Sequence, residues 1–273
     1  MTPGRWTVLS GTQIGSVHVR DRRPIQDAVR TWSEGDAAVV AVADGHGHHD
    51  HFRSDVGARI AVDAAVGALV AAAPHLGDVE SAKVALPDLA ARVVEGWDVG
   101  VRQHAAATPF PGGAPADPVR PYGTTLLAMA AIGDALSVFQ IGDGDTVVVD
   151  SSGRATRPLP EDPDLDGVST ASLCQPEPLR SLRLAVLDLR RQDVVLAFQC
   201  TDGFGSSRVD ADGWWRQTGE ELVRFGRERG FAWIGEQLPG WLEEPAQVGG
   251  DDTTLALIGR TDLPGRAAAT VPS

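Results

Sequence analysis

Val39-Val40-Ala41-Val42-Ala43-Asp44-Gly45-His46-Gly47 is the stretch whose reading decides this chain. Five consecutive apolar residues, too few for a helix and rich in β-branched valine, describe a strand buried on both faces. The run stops at a carboxylate, and two glycines then flank a histidine. A carboxylate at the end of a buried strand is held rigidly and can point out of the sheet. The same arrangement recurs in Val194-Val195-Leu196-Ala197-Phe198-Gln199-Cys200-Thr201-Asp202-Gly203. It appears with its order reversed in Gly249-Gly250-Asp251-Asp252-Thr253-Thr254-Leu255-Ala256-Leu257-Ile258, and a fourth aspartate, Asp27, stands in Pro24-Ile25-Gln26-Asp27-Ala28. Several such ends brought together make an all-oxygen pocket, which hard divalent cations such as Mg2+ or Mn2+ require. A pair of those ions can activate water for in-line displacement at phosphorus.

Each of these motifs has a plainer reading when taken alone. Asp-Gly after a strand is a strong turn signal. One aspartate of Gly250-Asp251-Asp252 can simply cap a turn. Asp143, in Gly142-Asp143-Gly144-Asp145, reads most simply as a solvated hairpin tip. The weight lies in their joint occurrence in one order. The tract His48, His49 and His51 has a composition that can bind zinc or nickel. Carboxylates rather than imidazoles mark the other strand ends, so solvated residues opening the next helix are expected here.

Outward from the first strand, residues 51–73 have helical periodicity, with Val56, Ile60, Ala64, Gly67 and Leu69 toward one side. A second helix is expected over 86–107, where Leu89, Val93, Trp97 and Val101 recur at spacing four. Pro109, Pro111, Gly112 and Gly113 end it in a loop. Strands over 124–132, 136–141 and 146–149 are separated by Gly-Asp turns, which predicts an antiparallel meander. Pro158 to Pro178 reads as a surface loop within a flap-like segment of about 151–190. Strands resume at 182–187 and 194–200. A helix over 220–242, broken at Gly230 and at Pro239-Gly240, precedes a last strand at 253–258. The order predicts an α/β (α+β) chain, with mostly antiparallel sheets covered by helices. A doubly wound fold would need strands alternating with helices. One domain over 1–262 is expected, with a disordered tail at 263–273.

The chain has 273 residues, 42% of them hydrophobic, and a formal net charge of −13. That length can bury a sizeable core. The acidity argues against nucleic-acid binding through phosphate contacts. Its two cysteines, Cys174 and Cys200, form no zinc pattern and no disulfide framework, which fits a reducing cytoplasm. The first six residues lack the apolar run of a signal peptide. No stretch reaches the roughly 18 apolar residues of a membrane span. The nearest, 60–73, contains Asp63 and reads as a buried helix.

The motif order resembles the metal-dependent serine/threonine protein phosphatases of the type-2C class (the PPM family), in their bacterial form. Gln26-Asp27-Ala28 is similar to the family's first acidic motif, and Val42-Ala43-Asp44-Gly45-His46-Gly47 to its most specific signature. Gly123-Thr124-Thr125-Leu126, Ile141-Gly142-Asp143, Thr201-Asp202-Gly203 and Asp251-Asp252-Thr253-Thr254 follow in family order. The resemblance covers about residues 11–258. It implies an αββα four-layer sandwich with a site for two Mn2+ or Mg2+ ions at one end of the sheets. By position, Asp27, Asp44, Asp202 and Asp251 would bind or orient the ions, with the Gly45 carbonyl as a further ligand. Asp143 would help to hold a weaker third ion. Arg22, five residues before Asp27, would fork onto phosphate oxygens, with Arg20 and Arg23 as neighbours able to do the same. His46 would protonate the departing alkoxide, its pKa raised by the carboxylates nearby. The implied substrate is a phosphoserine or phosphothreonine protein, with a cognate Ser/Thr kinase as a further expected partner and neither nucleic acid nor membrane involved. Trp214-Trp215 and the 158–178 loop are expected to shape recognition.

The chain departs from the family pattern at Ile25, where Asn is usual, at Gln26, which removes one possible charge, and at Asp252, where Asn is common. The hairpin also lacks the family's Ser-Arg after Gly142-Asp143. Two alternatives therefore stay open: a pseudophosphatase that binds without turnover, and a hydrolase of small phosphorylated metabolites on the same fold.

Overall fold

The computed structural model describes residues 5–110, 112–113, 115–161, 170–207, 210 and 213–263. Residues 162–169 of the expected surface loop and residues 264–273 of the expected tail lie outside the described residues, while Leu263 packs beside one of the hydrophobic cores. The strands are β1 (Trp6–Gln13), β2 (Ala28–Glu34), β3 (Ala37–Ala43), β4 (Leu126–Ile132), β5 (Ala135–Ile141), β6 (Asp145–Val149), β7 (Ala155–Thr156), β8 (Arg183–Asp188), β9 (Leu196–Cys200) and β10 (Thr253–Arg260). The helices are α1 (Ser16–Asp21), α2 (Ser54–Leu76), α3 (Val79–Ala107), α4 (Asp202–Ser206), α5 (Trp214–Glu228) and α6 (Phe231–Gly249).

Two five-stranded sheets form, in the orders β1-β10-β9-β6-β7 and β2-β3-β4-β5-β8. Every strand pair is antiparallel. The alternation of side chains along β3 shows how the layers are held. Val39, Ala41 and Ala43 face α2 and α3, while Ala38, Val40 and Val42 face the other sheet. Between the sheets they meet Leu127, Met129 and Val138 from one side, and Ala197, Ala256 and Ile258 from the other. On the far side of the second sheet, Val147, Phe198, Leu255 and Leu257 pack under α5 and α6. The expected αββα four-layer sandwich is therefore the observed one. A strand with both faces buried cannot alternate polar with apolar, which is why β3 reads as one continuous apolar run.

The structure corrects four local expectations. The predicted meander is not one: β4 and β5 form a hairpin, but β6 belongs to the opposite sheet, between β9 and β7. Gly142-Asp143-Gly144 is thus a crossover between sheets. Gly142 has φ +102 there, and a Cβ would lie 2.6 Å from Thr125 Cγ2, so glycine is required. Second, α6 runs unbroken through Pro239 and Pro245. Buried Leu238, Leu242 and Ala246 recur at spacing four across the proline, and their packing offsets the lost backbone bond. The expected break at Gly230 is real, with φ +83. Third, the inward face of α2 is Ala58, Ala61, Val62, Ala65 and Leu69, whereas Val56, Ile60 and Ala64 are only partly buried against the same core. α2 is long and apolar enough to cross a membrane by composition, and here it lies on β2, β3 and β4 beside α3. Fourth, β1 and β2 were not legible in the sequence. Trp6 and Val8 of β1 do face the inter-sheet core, but polar and small residues dilute the pattern beyond them.

Candidate metal centre

The strand registers bring the sequence-predicted carboxylates to one end of the sandwich. Ala28 pairs with Ala43, so Asp27 and Asp44 leave the same end of the first sheet side by side. Cys200 pairs with Leu255 on one side and with Asp145 on the other. Asp202, Asp251 and Asp143 therefore leave the matching end of the second sheet. The two sets touch across the gap. Thr201 Oγ1 donates to Asp27 Oδ2 at 2.8 Å, and Thr201 Oγ1 also accepts the Thr254 N–H at 3.0 Å.

The electrostatics are those of crowded like charges. Burial is the largest cause pushing the Asp27, Asp44, Asp202 and Asp251 carboxyls above their ordinary range. Repulsion adds to it: Asp27 and Asp202 act on Asp44, and Asp143 acts on both Asp202 and Asp251. The Asp44 and Asp202 carboxyls also act on each other, an interaction that raises Asp44 and lowers Asp202. Asp202 Oδ1 is buried with no hydrogen-bond partner among the described residues. A buried, unpaired carboxylate oxygen is costly. An all-oxygen set of this kind, with an oxygen left over, fits hard divalent ions that would neutralise it.

Backbone groups fix the loop after β3. Thr125 Oγ1 accepts the Asp44 N–H at 2.9 Å, and Thr124 Oγ1 donates to the Asp44 carbonyl at 2.8 Å. Gly45 N–H donates to the Gln26 carbonyl at 3.2 Å. A Cβ on Gly45 would lie 2.6 Å from that carbonyl and 2.8 Å from the carbonyl of Ser54, so only glycine lets the loop lie this close to Asp27.

Two family departures acquire a structural account. The Gln26 amide donates to Ser54 Oγ and, at 3.3 Å, to the His46 carbonyl. It ties the loop to α2. Asp252 is 2% exposed. It accepts the N–H groups of Gly15 at 2.8 Å and Gln26 at 2.6 Å, and it faces His18 Nδ1 at 2.9 Å. Burial alone would raise the Asp252 carboxyl, but His18 and the two backbone donors outweigh it and hold it below its usual range. Sequence reading missed His18. Its only signal was a histidine two residues before Arg20, where the basic run begins.

The arginines differ in reach. Arg20 pairs with its neighbour Asp21 at 2.8 Å. Arg22 ends α1 in the left-handed region, with φ 56, and is exposed. Arg23 Nη1 donates to the Gly47 carbonyl at 3.0 Å, which puts it on the loop that follows Asp44. His46 is half-buried, with its ring 5.1 Å from that of His51. Burial first, and the charge of His51 second, push its pKa down to about 4. The expectation that nearby carboxylates would raise it is not met, because desolvation of the imidazolium dominates.

Beside Asp143 and Asp202 a cleft of about 740 Å³ opens, lined also by Gln140, Arg157, Arg183 and Trp214. Arg157 pairs with Asp145 at 2.7 Å and lies over the Trp215 ring. Trp214 and Trp215 are themselves buried. Trp214 lines the cleft, and Arg157, which also lines it, lies over the Trp215 ring.

The sequence model of the family described as Protein phosphatase 2C matches residues 14–243. Among solved structures, a bacterial serine phosphatase superposes with a TM-score of 0.63 at 14% identity, over 96% of this chain and 99% of that one. Stp1 of Staphylococcus aureus, a serine/threonine phosphatase, gives 0.63 at 13% identity, over 95% and 97%. The catalytic domain of the serine/threonine protein phosphatase PstP, in complex with two manganese ions, gives 0.58 at 21% identity, over 94% and 99%. At such identities the likeness is one of fold. No curated protein matches the sequence.

Proposed function

The chain belongs to the protein phosphatase 2C family, and from that premise we propose that it hydrolyses phosphoserine and phosphothreonine in proteins with the help of two divalent ions, Mn2+ or Mg2+. The observation that carries this reading is the carboxylate set drawn from the ends of both sheets: Asp27 is buried, Asp44 and Asp202 are half-buried, Asp251 is exposed, and Asp202 Oδ1 is buried without a partner among the described residues. When bound, the ions would supply an activated water and charge neutralisation at the phosphoryl group. Those four aspartates would hold them with the Gly45 carbonyl, and Asp143 would hold a weaker third.

The remaining steps fall to this chain's own side chains. Arg23, already on the Gly47 carbonyl, would grip the phosphoryl oxygens. Arg22 has the family spacing, and Arg23 has the reach. His46 stands next to Asp44 and Gly45, where it can give a proton to the departing serine or threonine oxygen. In the free protein it is neutral, so its protonation belongs to the substrate complex, where a dianionic phosphoryl group raises the pKa of a neighbouring imidazole. A phosphoprotein substrate and a partner kinase follow from the same reading, and the two free cysteines fit a place in the cytoplasm.

Hydrolysis of phosphoserine, phosphothreonine and phosphotyrosine peptides, with and without Mn2+, tests the proposal. Metal-dependent turnover of the first two is expected. No turnover of any phosphate ester would leave the pseudophosphatase reading, and turnover of small phosphates alone would favour the metabolite hydrolase.

A further inference from the structure

The histidine tract after Gly47 has a geometry that solvation alone does not explain. Among the described residues, His48, His49 and Asp50 are the set of three ligand-type side chains that each bring one donor atom within 4.8 Å of the other two. The cause is local. His49–His51 form one tight turn, capped by His48, whose Nδ1 accepts the Asp50 N–H at 3.3 Å. That turn brings the two rings together, with centroids 4.0 Å apart and planes tilted by 44°. It also directs both at one carboxylate: His49 Nε2 is 3.2 Å from Asp50 Oδ1, and His48 Nδ1 is 3.8 Å from Asp50 Oδ2.

We propose that His48, His49 and Asp50 form a second cation site, for a borderline divalent ion with Zn2+ as the best fit, on the rim of the carboxylate centre. Two imidazoles and one carboxylate are a donor set that Zn2+ takes readily, with water completing a tetrahedron. The choice between sites is a matter of donor class. Mg2+ is bound through oxygen and dehydrates reluctantly, so it has little use for two imidazoles. Imidazole nitrogen favours the later transition ions. The rim site and the all-oxygen centre therefore select different metals, and the rim site does not depend on the phosphatase reading.

An ion there would not be inert toward its surroundings. Asp50 Oδ2 holds Arg120 Nη2 at 2.6 Å, so the ion competes with Arg120 for Asp50. Arg120 opens the turn that leads to Gly123, and the Gly123 carbonyl accepts the His46 N–H at 3.1 Å. Occupancy would thus pull on one of the contacts that seat His46.

The test is calorimetric titration of Zn2+ into the protein in excess Mg2+, so that Mg2+ competes for the carboxylate centre but not for the rim. One Zn2+ site that survives excess Mg2+ is expected. It should weaken by at least about tenfold in His48→Gln and in His49→Gln, since each removes one of two imidazole ligands. Both side chains are exposed, and unchanged melting temperatures would show that the variants fold. As a second readout, Cu2+ bound in excess Mg2+ should show nitrogen superhyperfine structure in its electron paramagnetic resonance spectrum, lost in the double variant. Zn2+ affinity unchanged in both single variants, or Zn2+ fully displaced by Mg2+, would overturn the proposal.

Discussion

His18 Nδ1 lies 2.9 Å from Asp252 Oδ1, which joins α1 to the strand end that carries Asp251. The contact answers a charge question. Asp252 puts an extra buried carboxylate behind the metal centre, and His18 offsets it, its own pKa raised by Asp252 against the cost of burial. Through Asp252 the pair also sets the Gln26-Asp27 backbone, which docks on the same carboxylate.

That pair predicts a stability window in pH. The raised His18 pKa contributes stability that is fully present below the ordinary histidine value and lost as pH rises through the raised one. The depressed Asp252 pKa contributes stability lost as pH falls through it. Asp252→Ala strands His18 and three backbone donors, and should cost about 3 kcal/mol near pH 6. Asp252→Asn keeps an acceptor and should cost less. Denaturant melts of the wild-type protein and His18→Gln from pH 5 to pH 9 should show their difference shrinking on the alkaline side. A difference independent of pH would remove the ion pair.

The carboxylate centre contributes a penalty where that pair contributes a gain. Carboxyls raised by burial and mutual repulsion penalise the folded state above their raised pKa values, and the penalty is relieved as pH falls through them. Without metal, Asp44→Asn should raise stability at pH 8 by roughly 1 kcal/mol or more. That advantage should fade as pH is lowered, and Mn2+ should abolish it by stabilising the wild-type protein instead. A loss of metal-free stability in Asp44→Asn would mean that Asp44 is needed for the turn itself.

Chelation should end turnover and leave the fold standing, because the two sheets and their helices have cores of their own. Circular dichroism and initial rates, measured on one chelated sample, separate the two effects. Unfolding on chelation would make the ions structural. Turnover that survives chelation would reject the two-metal reading.

Arg23→Ala should lower kcat/KM on phosphopeptides by roughly 10- to 100-fold, the loss expected for a charge-assisted contact. Arg22→Ala should do less, because Arg22 shows only an exposed position at the end of α1. The reverse ranking would return the phosphoryl contact to Arg22.

His46→Ala should slow phosphoserine peptides by about 100-fold or more while sparing nitrophenyl phosphate. A serine alkoxide needs a proton in the transition state, and nitrophenolate leaves largely without one. Asp143→Ala should be milder than Asp44→Ala at saturating Mn2+, as a weaker third ion requires. Equal losses on the two substrates would reject the acid role of His46, and equal collapse of both aspartate variants at every Mn2+ concentration would move Asp143 into the primary pair.

The sequence by itself determined the strands around Asp44, Asp202 and Asp251, because a doubly buried strand must be apolar throughout and its end must be polar. It also determined the break at Gly230, where only glycine takes the required φ easily. Motif order then implied the sandwich. What the chain could not disclose depends on neighbours distant in sequence. Composition marks Gly142-Asp143-Gly144 as a turn, but whether that turn closes a hairpin or crosses between sheets is decided by which strand β6 finds, and that is β9. The partnership of His18 with Asp252 spans the whole chain and has no local pattern. The depressed pKa of His46 follows from burial, which proximity to aspartates in the sequence does not report. Carboxylates were legible one at a time; their convergence, and the charge strain it creates, belongs to the packing of two sheets against each other.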